Sequence, residues 1–440
     1  MAKKMKEEMS HSIIKKTVEV DALYGCCCGI DVHSMIVMAC LRKGRNDEVR
    51  EYKAYTRTLY ELAAWLKESG CEMIAMESTG SYWKPLMNIF EEEGLSAIIV
   101  NAQHMKAVPG RKTDVTDSQW IAQLLQQGLL SASYVPERDQ RELRDMIRYR
   151  KSTVEERARE TNRLIKVLQG ANIKLAETVS NINGVTAQRL LSLIRSGEEI
   201  SLEKVNICKI GRIEATTEEL VMALEGHCTP LQKDLIGVII SNIESINQRI
   251  EKIEGLIDKH MTIPFVDAAE RLEAIPGIGN DSAQVIVTEI GIDMGKFPAA
   301  KHLCSWSGLS PGNRQSAGRQ KSGKTCKANK TLKSVMVQCA NAALKNKNTY
   351  YSAQYARLVR SKGHKKAIVA VAHSMMTAIY HVLCGDEFKD LGADYYNNFN
   401  RDKKIFAHAK QLQKLGMTDN EIVELMQRLK VEKEKQQLTA

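Results

Sequence analysis

The chain has 440 residues, 43% of them hydrophobic, and its 63 Lys and Arg outnumber 53 Asp and Glu to give a net charge of +10. That size and apolar content fit two or three globular domains, each with its own core. A membrane-embedded class is excluded, because no run approaches the ~20 uninterrupted apolar residues of a span, and the start MAKKMKEEMSHSIIKK lacks the apolar centre of a secretory signal. The expectation is a cytoplasmic protein whose eleven Cys are reduced thiols used in packing.

The first stretch, 24–135, alternates strand and helix patterns. Strands are predicted over 24–41, 48–55, 73–77 and 96–100, and helices over 59–68, 84–93 and 117–127, an α/β domain with a mixed sheet. Asp31 interrupts the apolar run CCCGIDVHSMIVMACL, and Glu77 ends the run CEMIAME. Solvated acids are unwelcome in such strands. Asp114 and Asp117 follow in KTDVTDSQWIAQLLQQ, spaced to share one face of a starting helix. Two strand-borne acids followed by a helix-borne pair is how an RNase H-like fold gathers carboxylates around divalent ions. Crowded carboxylates repel one another, and a bound Mg²⁺ removes that cost. The bland alternatives are four unrelated surface acids, with Asp114 serving as an N-cap.

From 136 the pattern turns to long helix. The segment PERDQRELRDMIRYRKSTVEERARETNRLIKVLQ is dense in Arg and reads either as a solvated helix with i,i+4 pairs or as one facing nucleic acid. Smaller helices are expected over 176–228. Then Ile239, Ile243, Ile246, Ile250, Ile253 and Ile257 step by four and three alternately, a heptad seam. Its partner is either the Arg-rich helix of the same chain or a second subunit.

A third region opens near 268 with AIPGIGND, a turn between two helical patterns that resembles a helix-hairpin-helix. In that motif turn amides at Gly277 and Gly279 would face a phosphate; a capped interhelical turn is the plainer reading. Between Met294 and Gly385 there is no Asp or Glu at all. So long an acid-free basic segment points to a polyanion, and nucleic acid is the natural partner. Within it CSWSGLSPGNRQSAGRQKSGKTCKANKTLK reads as a phosphate-seeking loop carrying Arg314, Arg319, Lys321, Lys324 and Lys327. Ser316 sits between Arg314 and Arg319, whose guanidiniums suit stabilisation of an alkoxide or of charge at phosphorus. Ser310 and Ser322 share the loop, and a loop serine is commonly only a solvated hydroxyl.

GIDVHS, AMESTGSYWKPL, NAQHMKAVPGRKTDVTDSQWIAQLL, IPGIG, GLSPGNRQSAGRQKSGKTCKANKTL and GHKKAIVAVAHSMM occur in that order between about 25 and 390. Together they resemble the DEDD-type insertion-sequence transposases, serine recombinases guided by a bridge RNA. The resemblance implies a RuvC-like domain over 24–135, a helical coiled-coil region over 136–267, a serine transposase domain over 268–390 and a charged tail over 391–440. It implies that Asp31, Glu77, Asp114 and Asp117 hold Mg²⁺ or Mn²⁺ and that Ser316 attacks a DNA phosphodiester to form a phosphoserine link. Donor and target double-stranded DNA, a structured bridge RNA and a homo-oligomer from dimer to tetramer are the implied partners, in the cytoplasm and nucleoid of a bacterium or archaeon. A metal-dependent junction endonuclease without a covalent intermediate is the alternative. The chain departs from the family pattern at Ser34, where Lys is usual, and at Ser118, where Ala is frequent. With only four Trp and six Phe, base stacking on aromatic side chains is not expected to dominate binding.

Overall fold

A computed structural model describes residues 22–77, 80–100, 117–312, 314–316, 319–322, 324–325, 328–398 and 401–438. It divides at Arg138/Asp139 into two compact units.

The first unit carries a five-stranded sheet in the order β3-β2-β1-β4-β5. The strands are β1 (Cys26–Val32), β2 (Ile36–Lys43), β3 (Asn46–Lys53), β4 (Met73–Glu77) and β5 (Ala97–Val100), with α1 (Thr56–Glu68) after β3, α2 (Trp83–Glu92) after β4 and α3 (Asp117–Gln126) closing the set. β1, β2 and β3 pair antiparallel, whereas β1–β4 and β4–β5 are parallel, so the sheet is mixed as expected. The single strand predicted over 24–41 is two strands. Their turn is closed by the His33 amide donating to the Ile36 carbonyl, 2.9 Å away, and it contains no Gly or Pro that would have marked it.

Alternation along β1 sorts its side chains onto two faces. Cys28, Ile30 and Val32 join Ile74, Met76, Leu62, Leu86 and Phe90 under α1 and α2. Cys27 joins Ala75, Val100, Ile121, Leu124 and Leu125 under α3. Cys27, Cys28 and Cys40 of this sheet are core groups, the packing role that composition predicts. Burial pushes Cys27 up to about 11 and Cys40 and Cys71 up to about 12, far from the thiolate form.

The second unit is almost wholly helical. α4 (Arg138–Gly170) and α9 (Pro230–His260) are its longest helices, and the short α5 (Leu175–Thr178), α6 (Val185–Ser196), α7 (Leu202–Cys208) and α8 (Thr217–Leu224) lie between them in sequence. Arg150 bonds Glu254, Arg157 bonds Asn247 and Arg249 bonds Glu156, a falling-against-rising register that makes α4 and α9 antiparallel. The isoleucine seam from Ile239 to Ile257 is buried within the one chain. Thr229 and Gln232 form a capping box, with Pro230 in the first turn, which fixes where α9 begins. Leu164 and Leu168 of α4 pack with Ile236, Ile240 and Ile243 of α9 and with Leu190, Leu191 and Leu220 of the short helices.

Beyond them come α10 (Ile263–Leu272), α11 (Asn280–Ile290), α12 (Ala300–Trp306), the hairpin strands β6 (Arg314–Ser316) and β7 (Arg319–Ser322), α13 (Lys330–Ala343), α14 (Tyr350–Lys362) and α15 (His364–Leu383). By length and composition α15 could cross a membrane. Here it is the central helix of a bundle, burying Ile368, Val371, Met375, Met376 and Ile379 against α10, α12, α13 and α14. The charged tail holds α16 (Tyr395–Asn398), α17 (Arg401–Lys414) and α18 (Asp419–Leu438).

Candidate functional site

Three of the four acids lie on one side of the sheet. The parallel register of β1 and β4 sets Ile30 against Met76, and Asp31 and Glu77 are the next residue on each strand. By alternation both share the face of Cys27, Gly29 and Ala75, the face that α3 covers. α3 runs back along β1: the Leu23 amide donates to Gln126, Cys27 Sγ to the Ala122 carbonyl, and Gly29 abuts Ser118 and Ala122. Asp117, at the start of α3, is therefore at the Asp31 end of the strand.

Gly29 makes that approach possible. A Cβ there would stand 2.3 Å from both the Ala122 nitrogen and the Ser118 oxygen. Asp31 is 16% exposed, and its Oδ2 lies 3.1 Å from Nε2 of His33, a neighbour in GIDVHS to which the sequence alone assigns no role. Carboxylate oxygens are suitable donors for Mg²⁺ or Mn²⁺. Among the described residues, no three His, Cys, Asp or Glu side chains are grouped to hold a metal ion, and Asp114 lies outside those residues.

The segment read as a basic loop contains a small antiparallel hairpin, β6–β7, with Ser316 opposite Arg319 at the turn end of its ladder. Gly, Ser and Lys are poor strand formers, so the composition concealed it. Its frame is closed by a bridge between Pro311 and Thr325 and by the Gly312 amide bonding the Lys324 carbonyl at 3.0 Å. The side chains of Arg314, Ser316, Arg319 and Lys321, and Lys327 as a whole, lie outside the described set; Lys324 is exposed. On one flank the His373 ring bonds the Leu309 backbone, and burial holds its imidazole below the ordinary value against the pull of that bond.

The two turn glycines differ. Gly277, at φ +88°, is pressed on α13, where a Cβ would lie 2.4 Å from the Cys339 oxygen and 2.6 Å from the Ala343 nitrogen. Its glycine is required by backbone conformation and close packing. Gly279 is exposed, precedes α11 and has open space around it.

Sequence reasoning missed Glu289. It is wholly buried on α11, with Arg148 Nε and Nη2 on its two oxygens at 2.7 and 2.8 Å and Asn329 Nδ2 at 2.6 Å. An acid within an apolar helix face, VIVTEIG, was the available signal.

Residues 28–173 match a family described as transposase, of the DEDD type named for IS110, and residues 269–357 match the transposase IS116/IS110/IS902 family. An uncharacterized 43.6 kDa protein of insertion element IS110 from Streptomyces coelicolor is 30% identical over 137 residues, 30% of this chain and 31% of the relative. A putative transposase, y4qE, from Sinorhizobium fredii is 24% identical over 319 residues, 71% of this chain and 70% of the relative. The alignment thus spans under a third of the first relative's length and over two thirds of the second's.

Proposed function

The chain belongs to the DEDD transposases of the IS110 type, and from that premise we propose that it cuts and rejoins DNA strands at the ends of an insertion sequence. The observation that carries the reading is the placement of Asp31, Glu77 and Asp117 on one face, where the ends of two parallel strands meet the start of α3. Asp31, Glu77, Asp114 and Asp117 hold Mg²⁺ or Mn²⁺ in this reading. Bound there, the metal supplies Lewis-acid stabilisation of charge on phosphate oxygens.

Ser316 is the nucleophile of the same reading. Its Oγ attacks phosphorus and its proton passes to a base; the P–O bond to the departing strand breaks with its electron pair going to the departing oxygen, which takes up a proton from a general acid or water, leaving a phosphoserine and a free hydroxyl. Arg314 and Arg319 offset the charge that grows on the phosphate. The cationic stretch from 294 to 385 binds the duplex backbone, and a structured RNA pairing with donor and target accounts for how sequence is chosen by a protein poor in base-stacking side chains. Assembly into a dimer or tetramer brings two DNA ends together.

A denaturing-gel trap with end-labelled element DNA, the flanking RNA and Mg²⁺ tests this. Wild type is expected to give a covalent adduct that both Ser316→Ala and Asp117→Ala abolish. Cleavage without adduct, surviving Ser316→Ala but not Asp117→Ala, makes the protein a metal-dependent nuclease instead, the reading that the carboxylate placement alone favours.

A further inference from the structure

Glu289 belongs to no part of the carboxylate site, yet it is the most heavily bonded buried acid in the second unit. Its side chain is 0% exposed. Arg148 grips both oxygens, and Arg144 lies 3.3 Å from Oε2 through Nε while donating through Nη2 to the residue's own carbonyl at 2.6 Å. Gln140, one turn earlier on α4, donates to the Thr288 carbonyl at 2.8 Å. Three residues of α4 thus converge on the end of α11. A lone buried carboxylate is untenable, and this one is paired with two guanidiniums.

The fourth partner changes what the cluster does. Asn329 donates from Nδ2 to Glu289 Oε2 at 2.6 Å, while its Oδ1 accepts from the Leu332 amide at 3.1 Å and so caps α13. Asn329 also follows closely on Thr325, the closing residue of the frame that carries β6 and β7. One amide side chain therefore caps a helix and reaches the buried acid, four residues along the chain from Thr325.

We propose that Glu289 is a positioning residue for Ser316: through Asn329 it ties the foot of the serine hairpin to Arg144 and Arg148 of α4. The hairpin is a two-stranded ribbon, which has little stability of its own in water. Its aim is set at its base, and Asn329 stands four residues beyond Thr325, the last bridged residue of that base. The inference rests on the phosphoserine reading above and extends it to the residue that orients the nucleophile.

Asn329→Asp provides the test, because it keeps the cap on α13 but turns a carboxylate toward Glu289 in place of a donor. Asn329→Ser is its companion: the shorter side chain can still cap α13 but does not reach Glu289, so the hydrogen bond goes while Arg144 and Arg148 stay on the acid. With duplex carrying the element's end, the flanking RNA and Mg²⁺, Asn329→Asp should slow adduct formation at saturating DNA by about tenfold or more, as misplacement of a nucleophile does. DNA affinity should hold, and Asn329→Ser should slow the same step without changing the charge. A saturated rate equal to wild type in either variant overturns the proposal. Should wild type give no adduct, the phosphoserine reading fails, and the fastening is judged on amide hydrogen exchange in 314–316 and 319–322. Faster exchange in both variants sustains it; unchanged exchange in either overturns it.

Discussion

Gly29 shows how much of a site a residue with no side chain can decide. Two backbone atoms of α3 occupy the space where its Cβ would be. Gly29→Ala is therefore expected to push α3, and Asp117 with it, away from β1. The cost should be roughly 1–3 kcal/mol, as for other overpacked positions, read as a lower urea midpoint of the first unit together with weakened cleavage. Gly255 is the opposite case: it lies inside α9 with nothing within 4 Å of where a methyl group would sit. Gly255→Ala should raise the midpoint by up to about 1 kcal/mol, since Ala forfeits less chain entropy in a helix. The strand placement of Asp31 and Glu77 was legible in the sequence because both break apolar runs. Gly29 was not, because only the arrival of α3 against β1 gives it a task. Glu289 was equally hidden, since its partners lie far away in sequence on α4 and at Asn329.

Among the elements, the α4–α9 pair resolves what the heptad pattern left open. A seam of isoleucines says that a helix packs lengthwise but not on what, because hydrophobic burial is non-directional. The identity of the partner is carried by the polar rungs, Arg150 with Glu254 and Arg157 with Asn247. Ile250 is buried on the seam, so Ile250→Ala should cost about 2–4 kcal/mol in chemical denaturation of the second unit. Arg249→Ala, which breaks an exposed pair with Glu156, should leave that midpoint where it was. Most helix and strand positions followed from periodicity to within a few residues. The turn at 33–35 did not, because it carries no Gly or Pro, and the β6–β7 hairpin did not, because its strands lack the β-branched and aromatic residues by which strands are recognised.

At the scale of the whole molecule, charge is segregated along the chain, with acids absent from Met294 to Gly385. Lys365 and Lys366 open α15 and are exposed. A helix N-terminus disfavours cations, so their placement there points to an anionic partner. Removing either should weaken duplex binding evenly across sequences and lower the slope of log K against log salt by about one, measured by fluorescence anisotropy over a salt series. Equal slopes for wild type and variants would put the duplex elsewhere. Segregation of another kind concerns the thiols. Among the described cysteines Cys384, just past the end of α15, is the exposed one, and those in the sheet are held protonated by burial. With Cys326, which lies outside the described residues, changed to Ser, a maleimide dye at neutral pH should therefore attach at Cys384. The fold thus offers an exposed attachment point at the foot of its central helix, from which energy transfer between labelled copies would time the meeting of two DNA ends.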